Sequence, residues 1–363
     1  MPLDDELTAW LRLTSVPGLG GERLRRLLAA FGGPQAVVSA TAAALSRHVP
    51  ESLVAQIKRN IAGDSFDVVA AWLREPQSQI ITLADAQYPQ RFLQIADPPP
   101  LLYVRGNADL LGRPALAIVG SRNATAQGVA NAEAFARALS ESGLVIVSGL
   151  ALGIDAAAHR GALAGSGNTI AVLGTGADVV YPARNRALAH DIVERGLLVS
   201  EFPLGTRPLA GNFPRRNRLI SGLTLGCLVV EAAAESGSLI TARLASEQGR
   251  EVFAIPGSIH SPLTKGCHAL IKQGAKLVES ARDVIEELHW QVRIGAANAK
   301  MPTPADTQVR RLLEALGDDP CDRDTLAARS GLDAAELSIL ITQLELDGAV
   351  ATLAGGLIQR VHR

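Results

Sequence analysis

The sequence has few cysteines. Cys227, Cys267 and Cys321 lie far apart, and none belongs to a C-x-x-C pair. This argues against a zinc site or a disulfide framework and fits a reducing cytoplasm. An excess of one charge is also missing, since Lys+Arg 35 stands against Asp+Glu 36. A polyanion would need a local basic patch, because the surface as a whole has almost no net charge to offer it. No run approaches the roughly 18 apolar residues of a membrane helix. Met1 to Trp10 carries acidic residues and no apolar signal core. The expectation is a cytoplasmic chain with no membrane partner. Two phosphate fingerprints are absent as well. No Gly-x-x-x-x-Gly-Lys-Ser/Thr occurs, which argues against a Walker-type NTPase. The first strand-to-helix turn lacks Gly-x-Gly-x-x-Gly, which argues against a dinucleotide cofactor. No metal site, cofactor or catalytic set is expected.

What is present is an ordinary globular composition, 47% hydrophobic and 20% charged over 363 residues, enough for two or three domains. Leu3 to about Arg74 reads as compact and helical. Val16-Pro17-Gly18-Leu19-Gly20 breaks one amphipathic helix from a second, Glu22 to Phe31. A Gly-x-Gly turn between short helices resembles a helix-hairpin-helix, with Arg23, Arg25 and Arg26 beside it; a plain tight turn is the simpler reading. Ile80 to Leu83 and Leu101 to Val104 are short strands around proline-rich, extended chain.

From Ala115 onward apolar strands alternate with helices. Ala115–Val119, Val145–Ser148, Thr169–Leu173, Leu197–Ser200, Cys227–Val230 and Glu251–Ile255 are continuous apolar runs, suited to strands buried on both faces. The fold class is therefore α/β, a Rossmann-like doubly wound, mostly parallel sheet. In such sheets ligands bind beyond the carboxyl ends of the strands, so the loops there are the candidate site. Those loops are rich in glycine and small polar residues, as in Gly120-Ser121-Arg122-Asn123, the Ser148 to Asp155 loop and Glu235-Ser236-Gly237-Ser238. Arg184, Arg186 and Arg207 are further cations for the same edge. Asp155 and His159, one helical turn apart, have the spacing of an acid/base pair; a helix cap and a hydrogen-bonded structural histidine are the preferred reading. Glu231 ends a strand at the same edge.

Gly211 to Thr224 carries the sharpest signal. Phe213 precedes Pro214, Arg215, Arg216, Asn217 and Arg218. Pro214 suits a first helical position, because its missing N–H would be unpaired there. Guanidinium groups, free helix N–H groups and one ring face suit a phosphate-bearing chain with unstacked bases. A solvated basic loop beside a core phenylalanine is the competing reading.

With these residues laid out, the chain resembles the DprA/Smf family of DNA-processing proteins. The resemblance rests on Val119-Gly120-Ser121-Arg122, on Ser148 to Asp155 followed by Ala158-His159, and on Phe213 to Leu223. Glu235 to Ala242 and Ile255-Pro256-Gly257 add to it. It implies a single-stranded DNA-binding protein of natural transformation that protects incoming strands and loads a RecA-type recombinase. It also implies a homodimer formed through the Rossmann-like domain. By the family pattern, Gly120, Ser121, Arg122, Phe213, Arg215, Asn217 and Arg218 are the DNA-binding residues. Family members often have a lysine in or just before the Phe-Pro block; this chain has Gly211, Asn212 and Arg215. The alternative is a phosphoribohydrolase-like enzyme acting on a phosphorylated nucleoside, since the Ser236-Gly237-Ser238-Leu239 turn resembles the glycine-rich turn of those enzymes. The glutamate that follows that turn in them is missing here.

Arg293 to Pro304 reads as a linker. Three helices, Asp306–Leu316, Arg323–Arg329 and Ala334–Leu346, and a hairpin around Gly355-Gly356 then resemble a winged helix. Asp333 to Asp347 includes Asp333, Glu336, Glu345 and Asp347 and no Lys or Arg, which favours protein contact over duplex binding. The expected domains are 1–79, small, helical and SAM-like or helix-hairpin-helix; 80–290, Rossmann-like; 291–304, linker; and 305–363, winged-helix-like.

Overall fold

The computed structural model describes residues 3–59, 64–165, 168–290, 304–317, 321–346, 349–352 and 356–360. The chain divides into two compact units, Met1–Arg293 and Ile294–Arg363.

The first unit opens with a helical layer: α1 (Asp5–Thr14), α2 (Gly21–Phe31), α3 (Pro34–Ser39), α4 (Ala42–Leu45), α5 (Glu51–Lys58) and α6 (Asp64–Trp72). Asp4 caps α1 by accepting the Leu7 N–H at 2.6 Å. Gly32 ends α2 in the left-handed region, at φ 86°. Trp10, Leu13, Leu27, Val37, Leu53 and Trp72 form the core of this layer, and Leu101 and Tyr103 of the sheet join it. The boundary expected after residue 79 falls inside the first strand, and layer and sheet share one compact unit.

The sheet follows as β1 (Ser78–Thr82), β2 (Leu101–Gly106), β3 (Ala115–Val119), β4 (Val145–Ser148), β5 (Thr169–Val172), β6 (Leu197–Ser200), β7 (Gly226–Val229), β8 (Glu251–Ala254) and β9 (Lys276–Leu277). Its helices are α7 (Ala126–Glu141), α8 (Ile154–Ala164), α9 (Arg186–Arg195), α10 (Asn212–Leu223), α11 (Ser238–Glu247), α12 (Lys265–Lys272) and α13 (Ala281–Glu287). The strand order is β1-β2-β6-β5-β4-β3-β7-β8-β9. β1 and β2 pair antiparallel, as do β2 and β6; the rest of the sheet is parallel.

Strand periodicity divides the core between two helical layers. Ala115, Ala117 and Val119 of β3 pack with Leu219 and Ile220 of α10, Ala242 of α11 and Cys267 of α12. Leu116 and Ile118 pack on the other side with Phe135 and Leu139 of α7, Ala157 of α8 and Val284 of α13. The chain runs outward from β3 through β4 and β5 to β6, then crosses back to place β7 on the other side of β3. The crevice between β3 and β7 is the topological switch point of the sheet.

The second unit holds α14 (Pro304–Leu316), α15 (Arg323–Ser330), α16 (Ala334–Leu346) and the hairpin β10 (Val350–Thr352) with β11 (Ile358–Arg360). Leu312, Leu326, Leu337, Ile341 and Ile358 form its core. The expected linker lies outside the described residues except for Pro304, which opens α14; Asp347 and Gly355 also lie outside them.

Candidate nucleic-acid interface

A cavity of about 790 Å³ opens at the switch point. It is lined by Gly120, Ser121 and Arg122 after β3, by Phe213, Arg216 and Asn217 of α10, and by Ser236, Gly237 and Ser238 at the start of α11.

The loop after β3 is tightly held. The Ser121 N–H donates to Glu231 O at 2.7 Å, and Ser121 Oγ accepts the Asn123 N–H at 3.1 Å. Ser121 Oγ thus braces a local turn, and exposed Arg122 is the part that projects. Its guanidinium carbon lies 5.7 Å from the Phe213 ring centroid, within cation–π range. Tyr181, 46% exposed, brings a second ring whose centroid is 5.7 Å from that of Phe213. Gly174 makes room for Phe213, since an added Cβ there would meet Phe213 Cδ1 at 2.7 Å.

α10 starts at Asn212, so Pro214 stands third in the helix, still within the first turn where no intrahelical partner awaits its N–H. The helix separates the basic run onto two faces. Phe213, Asn217 and Ile220 share the cavity face at the four- and three-residue spacing of a helix. Arg216 is buried beneath that face. Its Nη1 donates to Gly149 O at 2.8 Å and also to Val172 O, at the ends of β4 and β5. A Cβ at position 149 would lie 2.5 Å from Arg216 Nη2, so glycine is needed for the guanidinium to fit. Burial pulls Arg216 down to about 10, which leaves it charged at neutral pH.

Arg215 and Arg218, expected on the strand, lie on the other side of α10. Both donate to Glu201 Oε2, Arg215 at 3.1 Å. The Glu201 side chain is 2% exposed, that of Arg215 57% and that of Arg218 13%. Glu201 follows β6, and nothing in the sequence singled it out. Arg184, Arg186 and Arg207 are exposed and do not line the cavity.

The candidate acid/base groups are otherwise engaged. Asp155 Oδ2 accepts the Gly149 N–H at 3.1 Å and the Ala151 N–H at 3.4 Å, so it holds the loop behind it and does not cap α8. That loop contains buried Leu150 at φ 56°, a conformation a branched side chain avoids, and Asn185 Nδ2 ties down its carbonyl at 2.8 Å. Burial pushes the Asp155 carboxyl up, and Arg216 with the two N–H groups pulls it back. His159 is fully buried, with Nδ1 2.7 Å from Thr169 Oγ1. That hydroxyl already donates to Ile146 O at 2.8 Å, so His159 donates to it through Nδ1–H. Burial lowers His159 to about 3, so it stays neutral. Glu231 accepts the Thr125 N–H at 2.9 Å and the Thr125 hydroxyl at 2.5 Å, which anchors the start of α7.

Residues 79–289 match the family model described as DNA recombination-mediator protein A, and 296–356 match the DprA winged helix domain. The chain belongs to the DprA/Smf family. Protein Smf of Escherichia coli is 40% identical over 357 residues, 96% of this chain and 95% of that protein. DNA processing protein DprA of Streptococcus pneumoniae is 51% identical over 209 residues, 58% of this chain and 74% of that protein. The crystal structure of the Streptococcus pneumoniae protein superposes with a TM-score of 0.68 at 38% identity, covering 79% of this chain and 99% of that one. DNA processing protein A of Helicobacter pylori, whose structure was described for its single-stranded DNA binding mode, gives a TM-score of 0.53 at 33% identity over 58% of this chain and 96% of its own. Family membership establishes a recombination-mediator protein with a Rossmann-like sheet and a winged helix. No helix among the described residues is long and apolar enough to cross a membrane.

Proposed function

We propose that the switch-point cavity binds single-stranded DNA without cutting it. The protein then protects incoming strands during natural transformation and passes them to a RecA-type recombinase, acting as a homodimer in the cytoplasm. The observation that carries this reading is the meeting of Arg122 and Phe213, 5.7 Å apart, on the wall of an open cavity at the carboxyl edge of the sheet. Arg122 neutralises a phosphate and releases counterions. Phe213, with Tyr181 beside it, offers a stacking surface worth about 1–3 kcal/mol per base and indifferent to sequence. A duplex hides its base faces, so the site prefers single strands. Gly120 and Ser121 shape the loop that presents Arg122, and Asn217 lies on the cavity face of α10 beside Phe213. Arg215 and Arg218 reach a strand only by leaving Glu201. The binding mode named for the Helicobacter pylori relative supports the ligand class.

The test is titration of labelled single- and double-stranded oligonucleotides across salt concentrations, with Phe213→Ala and Arg122→Ala in parallel. The expected result is salt-sensitive preference for single strands, weakened by both substitutions. A protein that ignores oligonucleotides and releases base from a nucleoside monophosphate would instead make it the phosphoribohydrolase-like enzyme.

A further inference from the structure

The run Arg215-Arg216-Asn217-Arg218 is the most basic stretch on the ligand helix, yet each of its arginines ends on the protein itself. Arg216 is sunk onto Gly149 O and Val172 O. Arg215 and Arg218 converge on one oxygen of Glu201, and Arg215 also lies 5.4 Å from the centroid of the buried Phe202 ring. Arg218 continues the chain of contacts. It donates to Asp97 O, and its Nη2 is 3.6 Å from Asp97 Oδ2. The segment around Asp97 abuts the N-terminal half of α2: Arg25 Nη2 donates to Ala96 O at 3.1 Å. Gly21, the first residue of α2, has no room for a side chain, since an added Cβ would lie 2.4 Å from Asp97 Oδ1. A continuous path of ion pairs and hydrogen bonds therefore runs from the N-terminal helical layer to the outer face of α10.

We propose that Glu201 is the positioning residue of the ligand helix: it holds α10 by Arg215 and Arg218 so that Phe213 and Asn217 face the cavity, and through Asp97 it couples that helix to the N-terminal helical layer. The DNA part of this inference rests on the proposed function; the positioning part stands on the free protein. Three features support it. The carboxylate is almost wholly withdrawn from water, so its attraction for the two guanidinium groups is little screened. Arg215 and Arg218 are three residues apart and share one helix face, opposite the one that carries Phe213 and Asn217. Pulling on that face sets the rotation of the helix about its axis. With Arg216 fixed to β4 and β5, and Glu201 at the end of β6, α10 is moored at the carboxyl ends of three neighbouring strands.

The experiment compares the full chain with Glu201→Gln and Arg215→Gln; the second alters a half-exposed side chain and leaves the core intact. Hydrogen–deuterium exchange of the α10 amides in free protein is the first readout. Both variants are expected to lose protection there, and Arg25→Gln, which removes the bond to Ala96 O, is expected to loosen α10 and the start of α2 together. Unchanged α10 exchange in both variants overturns the proposal, whatever the protein does with DNA. Single-strand titration is the second readout. Each variant is expected to bind roughly five- to tenfold more weakly, the scale of losing one coupled contact. The effect should be non-additive with Phe213→Ala, while the salt slope stays that of the parent. A slope shallower by about 0.7 in Arg215→Gln would mean that Arg215 neutralises a phosphate, and would overturn the proposal. So would tighter binding by Glu201→Gln with a steeper slope, which would make Glu201 a mask over two phosphate contacts. A parent protein that binds no oligonucleotide sinks the proposed function, and the exchange data still decide the positioning of α10.

Discussion

Arg216 stands between two arginines in sequence and does something different from either. Its side chain is buried against two strand-end carbonyl groups and near the carboxylate of Asp155. Arg216→Met should cost about 3–5 kcal/mol, because it leaves the buried Gly149 and Val172 carbonyl groups without their donor and takes a positive charge from the neighbourhood of Asp155. The cost should depend on pH. Burial already raises Asp155, and losing Arg216 raises it further. The folded variant then keeps a proton that the unfolded chain has released. Its stability relative to the parent therefore falls as pH rises past the parent's own raised Asp155 value, and levels off above the variant's still higher one. Denaturant unfolding of both proteins between about pH 4 and pH 8 measures this. A deficit that does not change with pH would show that Asp155 does not feel Arg216. His159 carries the opposite sign. It is neutral in the fold with a pKa lowered from 6.5 to about 3, so acid protonates the unfolded chain first. Stability is full above pH 6.5 and is lost as pH falls toward 3, by up to about 1.4 kcal/mol per unit. His159→Gln should flatten that acid limb in the same unfolding series, at some cost in stability at neutral pH.

At the scale of elements, the strands were legible and the helix faces were not. β3, β4 and β6 have the bounds their apolar runs imply, because a strand buried on both sides is mostly apolar, with buried Ser148 and Ser200 closing β4 and β6. β9, two exposed residues at the edge, carries no such signal. In α10 the residue types pointed to a cationic surface, and the helical period divides them. Positions 213, 217 and 220 share one stripe and positions 215 and 218 another, a separation the spacing alone could have shown. Glu201 was hidden for a different reason: its partners lie 14 and 17 residues away, across a loop without periodicity. The winged helix permits a test on the same grounds. Ala334–Leu346 contains no cation, and its exposed surface includes Ile339 at 67% exposure. A helix of that composition has no attraction for duplex phosphates. A chain ending at Arg293 is therefore expected to bind duplex DNA as the full chain does in gel shifts. A marked loss on truncation would assign duplex binding to the tail.

On the scale of the whole molecule, formal net charge is −1, so no long-range field gathers a polyanion. Salt dependence must then come from the few cations that touch the strand. Among the described residues lining the cavity, Arg122 and Arg216 are the cationic ones, and Arg216 is buried beneath its partners. The start of α11 at Ser236-Gly237-Ser238 adds helix N–H groups and a dipole end, and no unit charge. One or two neutralised phosphates per chain are expected. The slope of log affinity against log salt should then be about −0.7 to −1.4 per chain, and twice that for a dimer gripping one strand. Arg122→Ala should remove about one phosphate from this count, whereas Phe213→Ala should weaken binding at every salt concentration and leave the slope alone. A parent slope several times steeper would require cations that the folded cavity does not present. Arg215 and Arg218 would then have to leave Glu201 for the strand, and α10 would be a helix that turns when DNA arrives.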